Sequence, residues 1–181
     1  MIALADDVGE KRQHLAGGVG VSEAGGIIRA VDLRVELRPP SVSQQQLAGL
    51  SHEILRIADP VLCGSENTHA EITAFNARTG HDYAVLDFTE YDGSRDLADF
   101  ALEAARPARP RIADVTTDEL VEIVRRILAG DPETDYYLRL LEANVTDPRV
   151  SDLIFHPPAG LRDASAEQIV AEALRYRPIA L

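Results

Sequence analysis

Thr116-Thr117-Asp118-Glu119-Leu120-Val121-Glu122-Ile123-Val124-Arg125-Arg126-Ile127-Leu128-Ala129-Gly130 carries a complete helix in its spacing. Thr116 and Glu119 stand as in a capping box: the hydroxyl accepts from a free N–H of the first turn, and the carboxylate accepts from the N-cap's own N–H. Leu120, Ile123, Val124, Ile127 and Leu128 recur at i, i+3, i+4, i+7 and i+8, the pattern of a helix that buries one stripe. Gly130 is suited to the left-handed turn that ends a helix. Downstream, Pro132 opens a second helix, with Tyr137, Leu140, Leu141 and Val145 on one stripe and Pro148 beyond its end. Ser151 to Phe155 leaves room for little more than one turn before Pro157 and Pro158. Ser165 and Gln168 form another capping box ahead of Ile169, Val170, Ala173 and Leu174, and Pro178 stops that last helix. The spacing therefore predicts helix, helix, short turn, helix over residues 112–181.

Upstream, Arg106-Pro107-Ala108-Arg109-Pro110-Arg111 reads as a stiff, basic linker over 106–111. Before it lies a second small unit, 41–105. Leu47, Leu50, Ile54 and Ile57 give an amphipathic helix begun near Ser41 or Ser43. Glu66 to Thr79 can form a second, Tyr83 to Tyr91 is short and apolar, and Asp96 to Ala105 carries Leu97, Phe100, Ala101 and Ala104 on a third helical face. The two units align crudely: Leu47 with Leu120, Leu50 with Ile123, Ile54 with Ile127, Leu55 with Leu128, and Thr79–Phe88 with Thr146–Phe155. The first unit is thus a degenerate repeat of the second, a second binding module, or a different module altogether. An α+β variant also fits, with Glu71–Phe75 and Tyr83–Phe88 as a β-hairpin around Thr79-Gly80, because short apolar runs do not separate helix from strand. Residues 1–40 read as an N-terminal extension. It is glycine-punctuated at first, and Val31 to Leu37 alternates as a short strand or extended lead-in would before Pro39-Pro40.

The net charge is -12, from 30 acidic and 18 basic residues. Such a chain repels nucleic acid and attracts basic partners. Residues 41–105 alone hold 11 acids against 3 bases. No apolar run is long enough for a membrane span. Asp6, Asp7 and Glu10 interrupt the stretch where a signal peptide needs its apolar core. Cys63 is the single cysteine, which fits a reducing cytoplasm and excludes an internal disulfide. His14, His52, His69, His81 and His156 form no metal-binding pair, so neither metal nor cofactor is expected. No nucleophile elbow or phosphate-binding glycine loop occurs, and no catalytic residues are assigned.

One string is more specific than helical spacing: Asp147-Pro148-Arg149-Val150-Ser151-Asp152-Leu153-Ile154-Phe155-His156-Pro157. It resembles the colicin and pyocin nuclease immunity family, which carries His-Pro, two spacer residues, then Ser-Asp-Leu-Ile-Tyr-Tyr-Pro. The Thr116-x-x-Glu119 helix start and Ser165-Ala166-Glu167-Gln168-Ile169-Val170, beside the family's Ser-Pro-x-x-Ile-Val, support the likeness in order and spacing.

The resemblance implies a distorted four-helix bundle with a one-turn third helix. It also implies a non-enzymatic inhibitor that sits beside a nuclease active site, with its second helix choosing the toxin and its third supplying constant anchors. On the second helix, Asp135, Leu138, Arg139 and Glu142 share one face off the buried stripe and form the expected specificity set. On the third, Asp152 matches the family aspartate, while Phe155 and His156 replace its two tyrosines. Phe155 keeps a ring without the hydroxyl, and histidine is the side chain whose charge changes near neutral pH. Aromatic anchors on a rigid turn make good hot spots, and surrounding acids steer a basic partner. The expected partner is the basic nuclease domain of a bacteriocin, met in the cytoplasm, with neither nucleic acid nor membrane bound directly. The alternative is a non-catalytic helical adaptor without a toxin. Were the first unit a second binder, its expected surface is Tyr83, Asp87, Phe88 and Tyr91.

Overall fold

The computed structural model describes residues 32–62, 68–89 and 96–177. Among them are eight α-helices and no strands. They are α1 (Gln44–Leu62), α2 (Thr68–Thr79), α3 (Val85–Thr89), α4 (Leu97–Ala104), α5 (Thr117–Leu128), α6 (Thr134–Asn144), α7 (Val150–Phe155) and α8 (Ala166–Arg175). Short 3-10 turns occur at Val35–Leu37 and Ala159–Leu161. Cys63, Tyr91 and residues 1–31 lie outside the described residues.

The helices close around two hydrophobic cores. In the first, α1 packs along α4 and also meets α3 and α2. Ile54, Ile57, Ile72, Phe75, Phe88 and Phe100 are buried there. The rings meet mostly edge-on or tilted, with Phe75 and Phe88 5.6 Å apart at 80° and Tyr83 and Phe100 5.0 Å apart at 69°, the arrangement their quadrupoles favour. In the second, α5 packs against α6 and α8, and the short α7 bridges α6 and α8. Leu120, Ile123, Val124, Leu140, Leu141 and Ile169 fill it.

The expected helix ends are present as hydrogen bonds. Thr116 Oγ1 accepts from the Glu119 amide at 3.3 Å while Glu119 Oε2 accepts from the Thr116 amide at 2.8 Å. Ser165 and Gln168 repeat the box. Gly130 has φ 68°. Its N–H donates to the Ile127 carbonyl at 3.0 Å, and the Asp131 N–H donates to that of Arg126 at 3.1 Å. That pair of bonds is a Schellman motif. The last apolar position of two stripes falls past the edge of the core: Leu128 and Leu174 are half-exposed.

Two expectations change. The hairpin reading is overturned: Glu71–Phe75 lies inside α2, and the Gly80 N–H donates to the Asn76 carbonyl at 2.8 Å, closing a helical turn. Gly80 does have φ 76°, which a hairpin turn and a helix terminus both use. Of the expected short strand or extended lead-in, the described residues 32–37 form no strand: an extended stretch leads into a 3-10 turn. The turn at Val35–Leu37 buries Leu33 and Leu37 in the second core and turns Val35 out to solvent. Period-two alternation would have put all three on one side. Arg34 fixes this segment on α5, with Nε 3.1 Å from Glu119 and Nη2 donating to the Ala113 carbonyl at 2.8 Å.

The two bundles share more than element order. Aligning Asp96 with Ser165, the N-caps of α4 and α8, pairs Leu97, Phe100, Ala101 and Ala104 with Ala166, Ile169, Val170 and Ala173. All eight pack in their respective cores. Aligning Thr79 with Asn144, the ends of α2 and α6, pairs Phe75 with Leu140, Val85 with Val150, Asp87 with Asp152 and Phe88 with Leu153, without a gap. Ser43, whose Oγ accepts from the Gln46 amide at 3.2 Å, stands to α1 as Thr116 stands to α5.

Candidate interaction surface

Helix α6 turns Tyr136, Tyr137, Leu140 and Leu141 inward. Helical geometry then leaves Asp135, Leu138, Arg139 and Glu142 on its outer side. Asp135 and Glu142 are exposed, and Arg139 is partly covered. Leu138, expected to have no core role, is half-buried against the rim of the second core.

Helix α7 is too short to stand alone and is held by what it buries. Val150 and Leu153 enter the core, which points Asp152, Phe155 and His156 outward. Phe155 is 52% exposed, so about half of this ring lies outside the core. Ser151 and Asp152 do not cap the helix. Asp147, only 4% exposed, does the related work from just upstream. Its Oδ1 accepts from the Arg149 amide at 3.0 Å and its carbonyl from the Val150 amide at 3.3 Å. The His156 N–H donates to the Asp152 carbonyl at 2.8 Å, and two prolines then prevent continuation. Phe155 and His156 therefore sit on a turn fixed at both ends.

Four of the seven candidate residues line two hollows. Asp152 and His156 line a shallow one of about 330 Å³, with Arg149, Leu161 and Glu172. Asp135 and Arg139 line another of about 270 Å³, whose opposite wall is Asp99, Leu102 and Glu103 of α4. Leu138, Glu142 and Phe155 lie outside both. The second hollow thus joins the two bundles, an arrangement sequence reasoning missed.

Arg106 spans this junction. It is 9% exposed and grips both carboxylate oxygens of Glu133, with Nη2 2.9 Å from Oε1. Its guanidinium lies over the Tyr136 ring, 5.7 Å from the centroid. Burial raises the Tyr136 phenol above its ordinary value, against the opposing pull of Arg106 and Arg139. The Arg106 carbonyl lies 2.9 Å from His81 Nε2 in the first bundle. Asn144 at the end of α6 donates to the Pro110 carbonyl at 2.8 Å and accepts from the Ile112 amide at 2.9 Å. Residues 106–112 are therefore tied down on both sides.

On α5, Glu122 is buried between Arg125, at 2.6 Å, and Arg126, at 3.1 Å. Arg126 also donates to the Tyr137 hydroxyl at 2.7 Å. Burial pulls the Arg126 pKa down, and the bonds to Glu122 and Tyr137 outweigh it and raise it. This network docks α6 onto α5 and so fixes the outward face of α6. Among the described residues no group of three or more His, Cys, Asp or Glu is placed to hold a metal ion. None of the described helices is long and apolar enough to cross a membrane.

Residues 112–178, which span the second bundle, match the family model described as colicin immunity protein / pyocin immunity protein. The chain belongs to that immunity family. A 66-residue stretch, 35% of the chain, is 39% identical to "Uncharacterized protein YezA" of Bacillus subtilis (strain 168) and covers 93% of that protein. No solved structure matches. The family match puts α7, with its buried Val150 and Leu153 and its outward Phe155, inside an immunity domain. Residues 32–111 fall outside it. Of the surface expected for a second binder, Tyr83 is 7% exposed and Phe88 fully buried, both serving as core. Asp87 Oδ2 accepts from the Ala84 amide at 2.7 Å. The structure shifts the expected alignment of Thr79–Phe88 with Thr146–Phe155 by two residues, so Phe88 corresponds to the core residue Leu153 and not to Phe155.

Proposed function

We propose that the chain is a non-enzymatic immunity protein that binds the basic nuclease domain of a bacteriocin in the cytoplasm and blocks its action on nucleic acid. The observation that carries this reading is Phe155, a large ring half-exposed on a one-turn helix that buries Val150 and Leu153 and packs Ile154 partly against the core. A ring held this way loses little conformational freedom when a partner covers it, which favours affinity. Asp152 and His156 flank it on the same turn, and Asp135, Leu138, Arg139 and Glu142 on α6 provide the neighbouring, more variable face. The charge of -12 suits a basic partner and disfavours direct binding of nucleic acid.

The test is co-purification with the product of the neighbouring gene, followed by DNA and RNA cleavage assays with and without the chain. Stable association and loss of cleavage are expected. A neighbouring nuclease that neither binds nor is inhibited overturns the reading and leaves a helical adaptor.

A further inference from the structure

We propose that the first bundle is a second copy of the immunity fold that no longer binds through its own second helix, and that it lends α4 to the single toxin-binding surface of the second bundle. This rests on the nuclease-inhibitor reading above.

The copy is argued from the paired caps and cores. Each of the four helix pairs aligns at a start or an end, and the alignments set the core residues Phe75, Phe88 and Phe100 against the core residues Leu140, Leu153 and Ile169. Helical period alone would align stripes. It would not align the caps Asp96 and Ser165 with the same stripes, nor carry α2 and α3 onto α6 and α7 without a gap.

The loss is argued from side-chain size. The alignment that pairs Phe75 with Leu140 places Ala70, Thr73, Ala74 and Ala77 where the second bundle has Asp135, Leu138, Arg139 and Glu142. All four small residues are exposed. They offer neither charge nor a large apolar surface, and truncation to alanine is what removes a hot spot.

The new role is argued from the hollow between α4 and α6. Asp99 and Asp135 face it from opposite walls, and neither carboxylate has a cationic partner among the described residues. Arg139 lies in the same hollow without an acidic partner, although Asp135 is one turn before it. Its Nε is shielded from water with no acceptor, a costly state for an N–H donor. A basic protein surface placing a lysine or arginine between the two aspartates, and a carboxylate or carbonyl on Arg139, satisfies all three groups at once. The Arg106–Glu133 pair holds the two walls in register for it.

The test uses the full chain and the nuclease domain encoded by the neighbouring gene, titrated by calorimetry. Asp99→Lys and Leu102→Glu on α4 are expected to weaken binding about tenfold or more, as Asp135→Lys does on α6. Ala74→Arg and Ala77→Arg on α2 are expected to leave it unchanged, at one nuclease per chain. Circular dichroism melts, and the isosteric Asp99→Asn, separate lost contact from lost fold: Asp99→Asn keeps the size of the side chain and is expected to weaken binding by a smaller factor. Silent α4 variants beside a weakened Asp135→Lys overturn the shared surface and leave the inhibitor reading standing. Weakening by the α2 variants, or two nucleases per chain, overturns the loss. A wild-type chain that binds no nuclease fails at the inhibitor reading itself and takes this inference with it.

Discussion

At the scale of the residue, burial decides what Phe155 can do. A ring that is 52% exposed contributes only part of its apolar area to the core, so removing it leaves little cavity. Phe155→Ala is therefore expected to keep the melting temperature nearly unchanged and to cost about 2 kcal/mol or more in binding a nuclease. A variant that unfolds instead assigns the ring to the core. Glu167 supports a pH prediction. Its own backbone amide and the Ser165 hydroxyl, helped by Arg125, hold its carboxyl below the ordinary value of 4.5 against the opposing effect of burial. A depressed folded pKa stabilises the fold above the unfolded value, and that contribution disappears as pH falls through the folded value. Wild type and Glu167→Gln should therefore differ in melting temperature at neutral pH and converge in acid. A gap that persists in acid would assign the difference to something other than ionisation. Asp147 shows what the sequence hides at this scale. An Asp-Pro pair looks like punctuation, and only the tertiary fold shows that its carboxylate is buried and supports the turn that carries Phe155.

At the scale of the element, the helices of the second bundle were legible because local and tertiary signals agreed. Cap, apolar stripe and stop all named the same bounds for α5, and cap and stripe did so for α8. The first bundle was harder to read for a physical reason. Its α3 is only Val85–Thr89, and five residues are too few to display a helical period. Gly80, with positive φ, serves a hairpin and a helix terminus equally well. The stop at Gly130 can be measured. A Cβ built there meets nothing within 4 Å, so Gly130→Ala adds no clash and suffers only the left-handed backbone. Its expected cost is about 1 kcal/mol in denaturant unfolding, and Gly130→Asn should cost less, because asparagine tolerates that conformation better. An alanine variant as stable as wild type would remove the Schellman turn from the account of where α5 ends.

At the scale of the whole molecule, composition suggested two units joined by a basic spacer, and Arg106 is where the physical chemistry departs from composition. Arginine beside proline in a polar run reads as solvated linker. Here the side chain is nine-tenths covered, bidentate on Glu133 and stacked over Tyr136, while its carbonyl meets His81. No sequence spacing announces a pair separated by 27 residues across two bundles. Glu133 remains 35% exposed, so solvent screens the pair and its worth falls below that of a fully buried one. Its effect is to couple the bundles as well as to stabilise them. Arg106→Ala leaves Glu133 without its cation and Tyr136 without its cover, and both changes act at the junction and spare the two cores. The expected outcome in scanning calorimetry is a single cooperative transition for wild type, replaced by a broader or two-step one for Arg106→Ala. Arg106→Lys should fall between them, since an ammonium keeps the charge but loses the fork. If Arg106→Ala unfolds as sharply and as late as wild type, the packing of 106–112 couples the bundles without the Arg106–Glu133 pair, and that pair is not what fixes α4 beside α6.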